Sequence, residues 1–124
     1  MTRHVLLVDD DPEVSLAVDR ELAELGCETV VARSGEDALR LLAEDVRIDV
    51  LLTELRLPDI DGRELAWAVT QKRPFVRIAF MGHAPPGEPL DPRDAPLLIK
   101  PFSSTALSKA LTQAAPLRRS QRSG

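Results

Sequence analysis

Apolar and polar positions divide the chain into short apolar runs separated by stretches with helical spacing. The runs are HVLLV (4–8), CETVVA (27–32), DVLLT (49–53), VRIAFM (76–81) and PLLIK (96–100). Their apolar residues are mostly consecutive rather than alternate, as in strands covered by helices on both faces. After the first run, Asp11 and Pro12 suit an N-cap and first helical position. Val14, Ala17, Val18, Leu22 and Leu25 then keep one face, and Gly26 stops the helix. Ser34 opens a second helix carried by Ala38, Leu41 and Leu42. Asp61 and Glu64 have capping-box spacing ahead of Leu65, Ala68 and Val69. Ser103 or Ser104 caps a last helix, with Leu107, Ala110, Leu111 and Ala114 on its stripe. This alternation predicts an α/β domain: one parallel sheet, right-handed crossovers, helices on both faces.

One segment breaks the rhythm. Five of the ten prolines fall in HAPPGEPLDPRDAP (83–96), and proline removes donors and interrupts helices. A loop or one short turn is expected there, so the fourth helix of the series is short or missing. The end, PLRRSQRSG (116–124), is polar and aperiodic, which predicts a domain over 1–115 followed by a polar tail or linker remnant.

Composition narrows the class. A length of 124 residues suits one core, and 44% apolar with 29% charged residues is ordinary for a soluble globular protein. The net charge of −4, with no long basic block before the tail, argues against nucleic-acid binding by this domain. A single cysteine, Cys27, excludes an internal disulfide and a multi-cysteine metal site, and fits a reducing cytoplasm. The start MTRHVLLVDD is too short in apolar residues for a signal peptide, and no stretch approaches the ~20 residues of a membrane span.

In a doubly wound sheet, ligands sit beyond the carboxyl ends of the strands. Asp9 and Asp10 leave the first run, Glu54 ends the third and Lys100 ends the fifth. With those three strands taken as neighbours, the four side chains meet in one notch. Crowded carboxylates need a compensating cation; Mg²⁺, which takes one or two carboxylates and keeps several waters, would serve. An ion pair between Glu54 and Lys100 is the other solution. Asp10 by itself would read as an ordinary acidic helix start. His83 lacks partners for a ligand role, Cys27 reads as a small buried hydrophobe, and Trp67 flanks its helix stripe, partly exposed. No G-x-x-x-x-G-K-[ST], G-x-S-x-G or Cys/His pairing suggests an enzyme.

The motifs VLLVDDDP (5–12), SGEDALRLL (34–42), DVLLTELRLPDIDG (49–62) and LLIKPFS (97–103), in that order, resemble the receiver domain of bacterial two-component response regulators. The resemblance covers residues 4 to about 115. It implies a flavodoxin-like, five-stranded parallel sheet of order 2-1-3-4-5, and a cytoplasmic signalling module rather than an enzyme. The implied partner is a sensor histidine kinase or phosphotransfer protein, whose phosphohistidine donates to an aspartate ending the third strand. Neither nucleic acid nor membrane is implied as a partner, and the oligomeric state is left at monomer or weak dimer. By the same resemblance Asp9 and Asp10 organise Mg²⁺, Lys100 contacts the phosphoryl oxygens, and a cis peptide bond precedes Pro101.

The sequence departs from this pattern at the centre. The acceptor position holds Glu54, whose extra methylene carries its carboxylate roughly 1 Å further, into the space of the phosphoryl group or the metal. Thr53 is no substitute, since alternation points it sideways. Met81 stands at the switch-hydroxyl position, and no Ser or Thr occurs between Thr70 and Ser103; a thioether donates no hydrogen bond to a phosphoryl group. Leu97 and Leu98 occupy the place where receivers often carry an aromatic residue. The expected function is therefore a receiver-like module acting by protein–protein contact without ordinary aspartyl phosphorylation. The alternative is a phosphorylation-competent regulator that uses Glu54 with Mg²⁺.

Overall fold

A computed structural model of the chain describes residues 2–83 and 95–117. The elements run β1 (Arg3–Val8), α1 (Pro12–Glu24), β2 (Cys27–Ala32), α2 (Gly35–Ala43), β3 (Val50–Glu54), α3 (Gly62–Lys72), β4 (Arg77–Gly82), β5 (Leu97–Ile99), α4 (Ser104–Gln113) and β6 (Ala115–Pro116). The first five strands are parallel in the order β2-β1-β3-β4-β5. This is the doubly wound, flavodoxin-like arrangement. The expectation of a short or missing helix concerns residues 84–94, which lie outside the described residues.

Helix starts follow their caps. The Asp11 carboxylate accepts from the amides of Glu13 and Val14 with Pro12 in the first turn, Ser34 accepts from Asp37, and Ser103 from Ala106. Asp61 caps α3 by accepting from the Arg63 amide, one position earlier than a capping box requires. Gly26, just past α1, has φ of 86°, a conformation that side chains with a Cβ rarely adopt. Ser15, buried on α1, donates to the carbonyls of Asp9 and Asp11, tying the helix to the end of β1.

The sheet separates two apolar layers. Leu6, Val8, Leu51, Ile78 and Phe80 pack with α2 and α3 residues such as Ala38, Leu42, Leu65 and Val69. Val5, Leu7, Val50, Leu52, Ala79, Met81 and Leu98 pack with Val18, Leu22, Leu107 and Leu111 of α1 and α4. β2 is an edge strand, so its residues are less covered than those of β1 and β3. Cys27 is half-buried against the second layer, and burial raises its thiol pKa. His83 is exposed and Trp67 partly so.

Two features correct the sequence reading. The residues assigned to a tail from position 116 begin inside the sheet: Ala115 and Pro116 pair antiparallel with Ile78 and Arg77. β5 covers only Phe80 to Gly82, leaving the start of β4 open, and β6 fills that gap. Proline is acceptable there because an edge strand can do without one donor. The second concerns the strand ends. β4 lies between β3 and β5, so the fifth strand is not next to the third, and Lys100 must reach over β4.

Asp59 does more than form a turn. Its carboxylate accepts from the amides of Gly35 and Glu36, both at 2.9 Å, so the loop after β3 caps α2 from a distance. These bonds hold its carboxyl below the usual aspartate range. Asp59→Ala is expected to cost about 1 kcal/mol at neutral pH. Because the folded pKa is lowered, the contribution is present above the unfolded value and fades as pH falls through the folded one. Urea unfolding at pH 7 and at pH 3 should therefore show the difference shrinking in acid.

Candidate functional site

Strand alternation builds the site. Val5 and Leu7, Val50 and Leu52, Ala79 and Met81, and Leu98 all face the α1–α4 layer. Counting on by two, Asp9, Glu54 and Lys100 extend from the same face, beyond the strand ends. The backbone fixes each: Asp9 donates to the Ala32 carbonyl, Leu55 to Met81, and Lys100 to Gly82.

Lys100 Nζ bridges the two acids, 2.6 Å from Asp9 Oδ2 and in contact with Glu54 Oε1. Asp9 and Glu54 are only 1% and 5% exposed, which makes the cation necessary: an uncompensated buried carboxylate is costly. The outer oxygens are engaged as well. Asp9 Oδ1 accepts from the Asp11 amide at 3.0 Å, and Glu54 Oε2 accepts from the Leu55 and Arg56 amides at 3.0 and 3.3 Å. The Glu54 side chain thus folds back on its own turn, with one oxygen on backbone amides and the other on Lys100. Burial pulls the Lys100 pKa down, but hydrogen bonds and charge from Asp9 and Glu54 outweigh it, and the ammonium titrates above the ordinary lysine value. With a raised folded pKa, the stabilisation is complete below the unfolded value and is lost only as pH rises through the folded one.

The expected set is only partly assembled. Asp9, Glu54 and Lys100 meet; Asp10 is exposed and makes no hydrogen bond or ion pair among the described residues. Met81, fully buried, is the register partner of Glu54 on β4 and belongs to the apolar floor. Thr53 is buried and donates to the Glu54 carbonyl, away from the acidic notch. The Lys100–Pro101 peptide is cis. Gly62, which the sequence marks only as a turn residue, belongs to the site. Its amide donates to the Leu55 carbonyl at 2.7 Å, and a Cβ there would stand 2.2 Å from the Glu54 carbonyl oxygen.

Fold, notch and motif order converge on one class, a phosphorelay receiver. The chain belongs to the response regulator receiver domain family, which it matches over residues 5–112. It is similar to the transcriptional regulatory protein GlrR of Escherichia coli (29% identical over 115 residues, covering 90% of this chain and 26% of GlrR). It is also similar to the response regulator receiver protein CpdR of Brucella abortus, 33% identical over 104 residues, covering 81% of this chain and 86% of CpdR. Among solved structures, TrrA from Thermotoga maritima, in complex with Mg²⁺-BeF, shares the fold with a TM-score of 0.77. It is 23% identical, and the match covers 89% of this chain and 96% of that one. The chain spans about a quarter of the length of GlrR. Receivers are signalling modules that engage histidine kinases or phosphotransfer proteins. No helix among the described residues is long and apolar enough to cross a membrane.

Proposed function

We propose that this receiver signals by protein–protein contact, with its acidic notch held closed by Lys100 and without ordinary aspartyl phosphorylation. One observation carries the reading: Lys100 lies between Asp9 and Glu54, and all four oxygens of those carboxylates already accept hydrogen bonds. A carboxylate that attacks phosphorus needs a free oxygen in line with the leaving group. Glu54 has one oxygen on Lys100 and the other on two amides.

As arranged, these residues do not fit Mg²⁺. The ion requires carboxylate oxygens turned towards it at about 2.1 Å in octahedral geometry. Here the ammonium supplies the positive charge and Asp10 stands apart. Among the described residues, no three His, Cys, Asp or Glu side chains are grouped to hold a metal. The partner is a sensor histidine kinase or phosphotransfer protein, which this receiver would engage as a binding surface rather than as a phosphoryl acceptor.

Incubation with acetyl phosphate and Mg²⁺, followed by intact-mass measurement, tests the proposal. No phosphoryl adduct is expected. A stable adduct that disappears in Glu54→Gln would replace this reading with that of a phosphorylation-competent regulator using Glu54.

A further inference from the structure

At the amino-terminal end of the sheet, opposite the acidic notch, the strand starts and the α3–β4 connection border an open depression of about 630 Å³. Its lining includes Arg3, Arg47, Lys72, Arg73 and Arg77, against a single carboxylate, Asp49. In a chain of net charge −4 this is a local reversal of sign. β1 alone separates the two ends by about 20 Å, so the depression is a separate feature from the notch.

Two of the five cations serve local structure. Lys72 sits in the last turn of α3, where a cation suits the helix dipole. The Arg73 guanidinium donates to the carbonyls of Leu42, at 3.0 Å, and Val46. The other three have no such task. Arg3 and Arg77 begin strands and make no ion pair among the described residues, while Arg47 reaches Asp49 only at 3.9 Å. Beside them Phe75 is 88% exposed, an aromatic ring left in water on the rim of a cationic hollow.

We propose that this depression binds a nucleotide, an organic phosphate carrying a planar base. Guanidinium groups recognise phosphate oxygens in bidentate fashion, and an exposed aromatic ring offers the base a stacking face. The volume lies within the range of small-molecule sites. Asp49 distinguishes this ligand from an acidic peptide. Its Oδ2 is fixed by the His4 amide at 2.8 Å and by Nδ1 at 3.3 Å. The backbone hydrogen bond from His4 is the chief influence holding its carboxyl below the usual aspartate range. A fixed, ionised carboxylate accepts hydrogen bonds from ribose hydroxyls or a base amine, donors that the side chains of an acidic run lack, while the surrounding guanidinium groups face the phosphates.

Calorimetric titration of the full chain with ATP, GTP and inorganic tripolyphosphate, at physiological salt, tests the inference. At least one nucleotide is expected to bind with a Kd on the order of 10–100 µM, at least tenfold more tightly than tripolyphosphate. Phe75→Ala should weaken that nucleotide about tenfold and leave tripolyphosphate unchanged, because it removes only stacking. Arg77→Ala should weaken both. Both side chains are exposed, so an unchanged melting temperature will show that the variants are folded. The proposal is overturned by no binding at millimolar nucleotide, by equal affinity for tripolyphosphate, or by indifference to Phe75→Ala. Tighter binding of an acidic peptide or a single-stranded oligonucleotide would overturn it too.

Discussion

Lys100→Met should lower the unfolding free energy by about 3–5 kcal/mol, because it leaves two buried carboxylates facing each other without a cation. For a domain of this size the loss corresponds to a fall in melting temperature on the order of 10–20 °C. The cause is repulsion and desolvation rather than lost packing, since methionine keeps most of the lysine stem's volume. Two further measurements separate these causes. Lys100→Met combined with Glu54→Gln should recover part of the loss by removing one of the charges. Millimolar Mg²⁺ should raise the melting temperature of Lys100→Met by several degrees through mass action, yet leave the parent chain nearly unchanged. An equal Mg²⁺ shift in both proteins would show that the ammonium does not stand in the ion's place, and the proposed closed notch would fall.

The second large effect belongs to a residue without a side chain. Gly62→Ala places a methyl group 2.2 Å from the Glu54 carbonyl oxygen and 2.9 Å from the Leu55 Cα, so backbone must move. Overpacking against backbone is expected to cost about 3 kcal/mol, readable in denaturant unfolding. It should also loosen the Leu55 and Arg56 amides that hold the Glu54 carboxylate, and so raise their hydrogen exchange above that of the parent. Gly26→Ala, by contrast, meets no neighbouring atom within 4 Å, and its cost is limited to the conformational strain of positive φ. A Gly62→Ala protein as stable as the parent would mean that the β3–α3 turn can withdraw from Glu54 freely.

Local chemistry explains what could be read from the sequence. Asp11-Pro12, Ser34, Asp61 and Ser103 announce their helices because a cap is set by residues two or three apart. β2 reads from Cys27 to Ala32 because Gly26 and Arg33-Ser34 punctuate both ends of a run centred on the β-branched Thr29, Val30 and Val31. Other features depend on distances in space that no local pattern encodes. Asp59 reads as a turn residue, and its bonds to Gly35 and Glu36 join positions more than twenty apart. Two residues, Ala115 and Pro116, are too few to show periodicity, so β6 had no signal. Lys100 reads as ending the fifth strand, as found, but the order β2-β1-β3-β4-β5 puts β4 between it and Glu54, so the notch closes through the reach of a lysine stem and not through adjacent strands. Asp9 and Asp10 look interchangeable in DDDP, yet alternation sends one into the notch and the next into solvent. The cations of the opposite end are scattered from position 3 to position 77, and only the sheet gathers them.

That alternation has a consequence for how such a chain can change. Asp9, Glu54, Met81 and Lys100 share one side of the sheet only because four separate counts along four strands have the same parity. Inserting a single residue early in β3 would rotate Glu54 to the side of α2 and α3, leaving the other three corners in place. Inserting two would restore its side but displace it by about 6.6 Å along the strand. A substitution changes the chemistry of one corner and leaves its position, whereas an odd change of length removes a corner outright, so gaps in these strands should be far rarer than exchanges.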